Sequence, residues 1–141
     1  GHCCFYESGD QVLFSGDNIL GYGTAVIRPP DGNMTDYLKS LERLLEFNIR
    51  LVLPGDGPLA GKPEAKIKEY IEHRMMREKQ VLDALLKGRK TVGDITETIY
   101  VDVSPALQRV AEFSVQAHLE KLMSEGRVKS EGGHYLLLKD K

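Results

Sequence analysis

The sequence has no tryptophan and only two cysteines, Cys3 and Cys4, which are adjacent. Neighbouring cysteines rarely bridge each other, because the bond geometry strains the peptide between them. A disulfide framework is therefore excluded, and a reducing, cytoplasmic setting is expected. No apolar run approaches the length that spans a bilayer, so no membrane partner is expected, and the first residues do not read as a signal peptide. Histidine is sparse: His2, His73, His118 and His134, none at metal-ligand spacing from another. A local histidine-rich zinc motif is thus missing. An excess of one charge is missing as well. The formal net charge is −2, which does not indicate a basic nucleic-acid binder.

What is present is a globular balance of 41% hydrophobic and 28% charged residues in 141 positions. That is enough for one ordinary domain or two very small ones. The charge is uneven. Residues 1–60 carry 8 acidic and 4 basic side chains, and residues 61–141 carry 13 and 15. Composition changes near residue 62, from Gly- and Pro-rich to helical, which predicts two domains, 1–61 and 62–141.

In the first part, residues 3–7 and 11–15 read as a hairpin around Ser8-Gly9-Asp10. A long Gly/Pro loop covers 18–33, and a loop of that length in a compact domain is usually functional. Tyr37, Leu38, Leu41, Leu44 and Leu45 mark an amphipathic helix capped by Thr35, and residues 49–53 a strand halted by Pro54-Gly55-Asp56-Gly57-Pro58. In the second part, a helix over 63–87 carries a predicted apolar stripe of Ile67, Tyr70, Ile71, Met75, Val81, Leu82, Leu85 and Leu86. Its charged residues, Arg74 and Glu78 among them, read as a solvated face. A short helix capped by Thr91 follows. A third helix opens at Ser104-Pro105, with Leu107, Val110, Ala111, Val115, Leu119 and Leu122 inward, and two strands surround Gly132-Gly133. Three helices and a hairpin are the order of a winged helix. Its third helix and wing are nearly neutral, which argues against sequence-specific reading of duplex DNA.

Two carboxylates stand out. Asp17 follows a buried strand and the small residues Ser15 and Gly16. Asp56 lies between two glycines and two prolines, again just after a strand. Carboxylates on two strand-end loops suit a divalent cation, although two alone make an incomplete site. Most aspartates so placed are turn residues. By the same standard, His73 reads as a helix-surface residue or a contact near a site mouth, and His118 as a core or interface residue.

The stretches Val12-Leu13-Phe14-Ser15-Gly16-Asp17, Leu20-Gly21-Tyr22-Gly23-Thr24, Pro29-Pro30-Asp31-Gly32 and Pro54-Gly55-Asp56-Gly57-Pro58 resemble the second half of a metallo-β-lactamase-fold hydrolase. Residues 70–78 and 117–122 resemble the lactamase-β-2-like branch, which ends in a small winged-helix domain. The resemblance implies an α/β plus α+β chain: the C-terminal half of an αβ/βα sandwich followed by a winged helix. It implies two zinc ions, with Asp17 in the bridging position and Asp56 where the family's PGHGP motif has a metal-binding histidine. It makes His2 and His73 near-site candidates. The family's HxHxDH motif is absent. His2 precedes Asp17 by 15 positions, the spacing of a family histidine that is not a ligand, so the chain is expected to begin midway through the catalytic domain. No complete catalytic set is expected in this chain.

The implied activity is hydrolysis by metal-bound hydroxide. The substrate is a phosphodiester, as in single-stranded RNA, or a small ester or thioester. The alternative is a non-catalytic fragment or degenerate homologue whose winged helix is an interaction module. A homodimer is left open.

Overall fold

The structure, a computed structural model, describes residues 2–101 and 103–138. Its elements are β1 (Phe5–Glu7), β2 (Val12–Gly16), α1 (Met34–Leu44), β3 (Leu51–Pro54), α2 (Pro63–Leu86), α3 (Val92–Ile99), α4 (Pro105–Ser124), β4 (Val128–Glu131) and β5 (His134–Leu137). The chain divides into two compact units, residues 1–25 with 36–74 and residues 26–35 with 75–141. The change of unit falls within α2, whereas the change of composition falls at its start. No helix among the described residues is long and apolar enough to cross a membrane.

The first unit is built on a three-stranded sheet in the order β1-β2-β3. β1 and β2 form the expected hairpin, with Tyr6 opposite Leu13. β3 runs parallel to β2, with Leu13 opposite Val52. A parallel pair needs a crossover, which α1 supplies. Strand alternation then sorts the side chains. Leu13, Ser15 and Val52 point to the buried face, while Phe5, Phe14 and Leu53 form a cross-strand row on the other face, where both phenylalanines are exposed. α1 begins at Met34, one residue before the predicted Thr35 cap, and buries Met34, Tyr37 and Leu41.

The second unit is three helices and a hairpin. β4 and β5 pair antiparallel, and Lys90 adds an isolated bridge to Tyr135. Val81, Ala84, Leu85, Ile95, Val115, Leu119, Leu122 and Val128 form one core. The Thr91 hydroxyl accepts from the Asp94 N–H, and the Asp94 carboxylate accepts from the Thr91 N–H, a reciprocal cap that fixes the start of α3. Gly88 and Gly126 end α2 and α4 with positive φ of 115° and 70°, as a helix C-terminus favours.

The predicted stripes need correction. Met75 and Leu86 of α2, and Leu107 and Val110 of α4, are exposed. On α2 the inward positions run 67, 70, 74, 78, 81 and 85, a regular helical spacing. Two of them are charged: Arg74 is 2% exposed, and the Glu78 side chain is 15% exposed. Neither belongs to the solvated face expected for it. Arg74 has partners in the first unit and Glu78 in the second, and these partners make the burial tolerable.

Candidate functional site

The first unit brings together the two loops that carry Asp17 and Asp56. β2 and β3 are parallel neighbours, so their C-terminal ends lie side by side. Beyond the strands the loops stay joined by backbone bonds. The Gly55 N–H donates to the Gly16 carbonyl at 3.0 Å, and the Gly21 N–H donates to the Asp56 carbonyl at 2.9 Å. A Cβ on Gly55 would lie 3.3 Å from Asp17 Oδ1, so the carboxylate of Asp17 rests against the loop of Asp56. Both aspartates are exposed. His2 Nε2 approaches Asp17 Oδ2 to 3.4 Å. Asn18 Nδ2 donates to the His2 carbonyl and to Cys4 Sγ, at 3.3 Å each. Burial pushes the Cys4 thiol up, partly offset by the Asn18 hydrogen bond.

The loop after Asp17 is held from below by buried polar side chains. The Tyr70 hydroxyl accepts from the Leu20 N–H and donates to the Gly23 carbonyl, both at 2.9 Å. Tyr37 donates to the Asn18 carbonyl at 2.8 Å. Burial raises the Tyr37 phenol well above its ordinary range against the opposing charge of Arg74, so it remains a donor. Arg74 donates through Nη2 to the Ala25 carbonyl, and its guanidinium lies 5.5 Å over the Tyr37 ring. Ser15 donates to the Ile19 carbonyl at 2.8 Å. Several backbone groups of a stretch with no helix or strand of its own are thus answered by buried side chains. Tyr70→Phe keeps the ring packing and removes the donor and acceptor. The expected loss is roughly 1–3 kcal/mol, with faster amide exchange at Leu20 while the α2 amides stay slow. Unchanged exchange at Leu20 would mean that the clamp does not hold the loop.

His2 joins Asp17, and the Asp17 and Asp56 loops touch. His73 lies half-buried on α2 beside Arg74. His118 is 1% exposed in the core of the second unit, 3.6 Å from the Glu78 carboxylate. Among the described residues no three His, Cys, Asp or Glu groups gather closely enough to hold a metal ion. Two exposed carboxylates and one imidazole do not meet the four-donor demand of a zinc site. The donors of this chain therefore do not fit the implied dinuclear zinc site. Sequence reasoning missed Tyr37, Tyr70 and Arg74 as the residues that shape the site. An arginine at an inward helical position was the available signal.

Comparison with known proteins places these features. Residues 1–56 match the metallo-β-lactamase superfamily model, and residues 91–135 match the β-lactamase-associated winged helix domain. The chain is 35% identical over 130 residues to the β-lactamase-like protein 2 homolog of Caenorhabditis elegans, covering 92% of this chain and 43% of that protein. It is 31% identical over 96 residues to an atrochrysone carboxyl ACP thioesterase of Aspergillus fumigatus, covering 66% of this chain and 29% of that protein. A metallo-β-lactamase family protein of Thermus thermophilus superimposes with a TM-score of 0.85 at 26% identity, covering 98% of this chain and 46% of that one. The chain spans less than half the length of these relatives. With its partial lactamase-type sheet and its winged helix, the chain belongs to the metallo-β-lactamase superfamily.

Proposed function

We propose that this chain is part of a hydrolase that cleaves carboxylic esters or thioesters, and that it supplies the Asp17 and Asp56 loops to a catalytic centre completed by donors from further polypeptide. The observation that carries the reading is the junction of two strand-end loops, each presenting an exposed carboxylate, on a sheet of this superfamily. The similarity to a protein named as a thioesterase supports the ester class. Charge favours the same class over RNA. Residues 1–60 are acidic, and the stretches 15–25 and 54–61 contain no lysine or arginine. A polyphosphate strand gains its affinity from such cations and is repelled where carboxylates dominate.

The roles of the chain's own residues follow from their placement. Asp17 and Asp56 present carboxylate oxygens at the strand ends, and His2 lies against the outer oxygen of Asp17. The buried clamp of Tyr37, Tyr70 and Arg74 keeps the loop between them at fixed geometry. That is the support a site on loops requires.

The test uses the longest polypeptide that contains this chain, assayed on a p-nitrophenyl ester, an acyl-pantetheine thioester and single-stranded RNA. Hydrolysis of the first two is expected, falling roughly 10- to 100-fold in Asp17→Asn with the melting temperature unchanged, because Asp17 is exposed. For the 141-residue chain alone, calorimetric titration with zinc is expected to give a dissociation constant no tighter than about high micromolar. RNA cleavage without ester cleavage would overturn the ester class. No hydrolysis of any substrate would favour a non-catalytic interaction module.

A further inference from the structure

Residues 26–35 interrupt the first unit. The stretches on either side, 1–25 and 36–74, build that unit, whereas 26–35 packs with the winged-helix unit. This strap begins where the site loop ends. Ala25 is held through its carbonyl by Arg74 in the first unit, and Val26 already belongs to the second. The strap is stiff. Buried Ile27 and Pro29 alternate with exposed Val26, Arg28 and Pro30, and each proline fixes its own φ. The Gly32 N–H donates to the Arg28 carbonyl at 2.7 Å and closes a turn. A Cβ on Gly32 would lie 2.9 Å from the Arg28 nitrogen, so only glycine fits this turn without a shift. A side chain fastens the turn to α4: the Arg28 guanidinium lies 4.6 Å over the ring of Phe113. The ring face attracts the planar cation, and the stacked contact sets orientation as well as distance.

We infer that Arg28 and Phe113 are positioning residues: they fasten the strap to α4 and thereby fix the downstream end of the loop that follows Asp17. The winged-helix unit is then part of the scaffold of the site and not an appended module. Its hold acts along the chain. Releasing Arg28 from the ring frees the strap, and the loop before it gains backbone freedom that the clamp at Ala25 alone must resist. The inference rests on the hydrolase reading only for the worth of that loop to the reaction. The fastening itself needs no substrate.

Amide exchange on the 141-residue chain tests this with neither metal nor turnover, so it can fail while the hydrolysis assay succeeds, and the reverse. Arg28→Gln removes the cation and keeps much of the side chain. Exchange is expected to quicken about two- to fivefold at Gly32 and, in the same range, at Leu20 and Gly21. Phe113→Leu keeps apolar volume without a ring face and should do the same. The double variant should exceed neither single one, because both remove one contact. Arg28→Lys and Phe113→Tyr keep a cation and a ring and should stay near the parent chain. Thr91→Ala is the control. It removes the cap of α3 in the same unit and should leave Leu20 and Gly21 unchanged, since α3 can fray without releasing the strap. Faster exchange at Gly32 alone, or no change at any of the three amides, would overturn the inference. So would equal acceleration at Leu20 and Gly21 in Thr91→Ala, because general weakening of the unit would then suffice.

Discussion

Glu78→Ala destabilises the winged-helix unit by roughly 2–4 kcal/mol, somewhat below the loss typical of breaking a fully buried ion pair, because the carboxylate keeps a 15% exposure. Its carboxylate lies 2.8 Å from Lys121 Nζ, 3.5 Å from Arg127 Nη1 and 3.6 Å from His118 Nδ1. Lys121 also meets Glu125 at 2.7 Å. The cluster joins α2, α4 and the turn into β4. Removing the carboxylate leaves a lysine that is 13% exposed beside a histidine that is 1% exposed. Most of the loss comes from those groups, because Lys121 then faces Glu125 alone and the buried imidazole loses its neighbouring carboxylate.

The pH dependence carries the same signature. Burial alone would raise the Glu78 carboxyl, but hydrogen bonds from His118 and Lys121, with the Lys121 charge, outweigh it and lower the group from 4.5 to about 2. A carboxyl held below its unfolded value stabilises the fold above that value and loses the contribution as pH falls through the folded one. Stability should therefore decline from about pH 5 towards pH 2 in the parent chain, and decline less in Glu78→Ala. Burial alone lowers the Lys121 ammonium, yet hydrogen bonds to Glu125 and Glu78 raise it above 10.5. Its contribution is complete below pH 10.5 and is lost only at more alkaline pH. Urea unfolding at about pH 7, 5 and 3 tests the pair. Parallel pH profiles for parent and variant would sink the account.

Gly21→Ala is the second large effect, and it acts on the site. The added Cβ would lie 2.3 Å from the Pro58 nitrogen and 2.5 Å from the Gly57 carbonyl carbon. Both are backbone atoms, and no rotamer change moves them. The two loops must separate, which breaks the 2.9 Å bond from Gly21 to the Asp56 carbonyl. Overpacking against a rigid neighbour costs about 3 kcal/mol. Here the strain falls on the loop junction, so amide exchange should accelerate at Leu20 and Gly21 before the sheet opens. An unfolding midpoint and exchange rates equal to those of the parent chain would show that the junction yields without strain.

The contrast among the histidines shows how far sequence reasoning reached. His118 falls among Val115, Leu119 and Leu122 in the helical pattern, so its burial was legible. Its ion partner Glu78 was not, because a charge on another helix leaves no periodic trace on α4. The site was legible in part for a similar reason. Asp17 and Asp56 stand after strands and among glycines, a local signal. Tyr37, Tyr70 and Arg74 act on the loop across 19 to 50 positions of sequence; the inward helical position of Arg74 is the one local sign, and nothing local shows which loop they hold.

The order of elements, the hairpins, the capping of α3, most of the winged-helix core and the superfamily resemblance are all written in the local sequence. All of these depend on period, caps and turn residues within a few positions. Tertiary structure alone decided that Arg74 and Glu78 turn inward, that Met75 and Leu86 turn out, and that the Asp17 and Asp56 loops meet through Gly21 and Gly55. Whether a charge can be buried depends on the carbonyls, rings and counter-charges that distant segments bring to it. That balance is set only when the chain has packed.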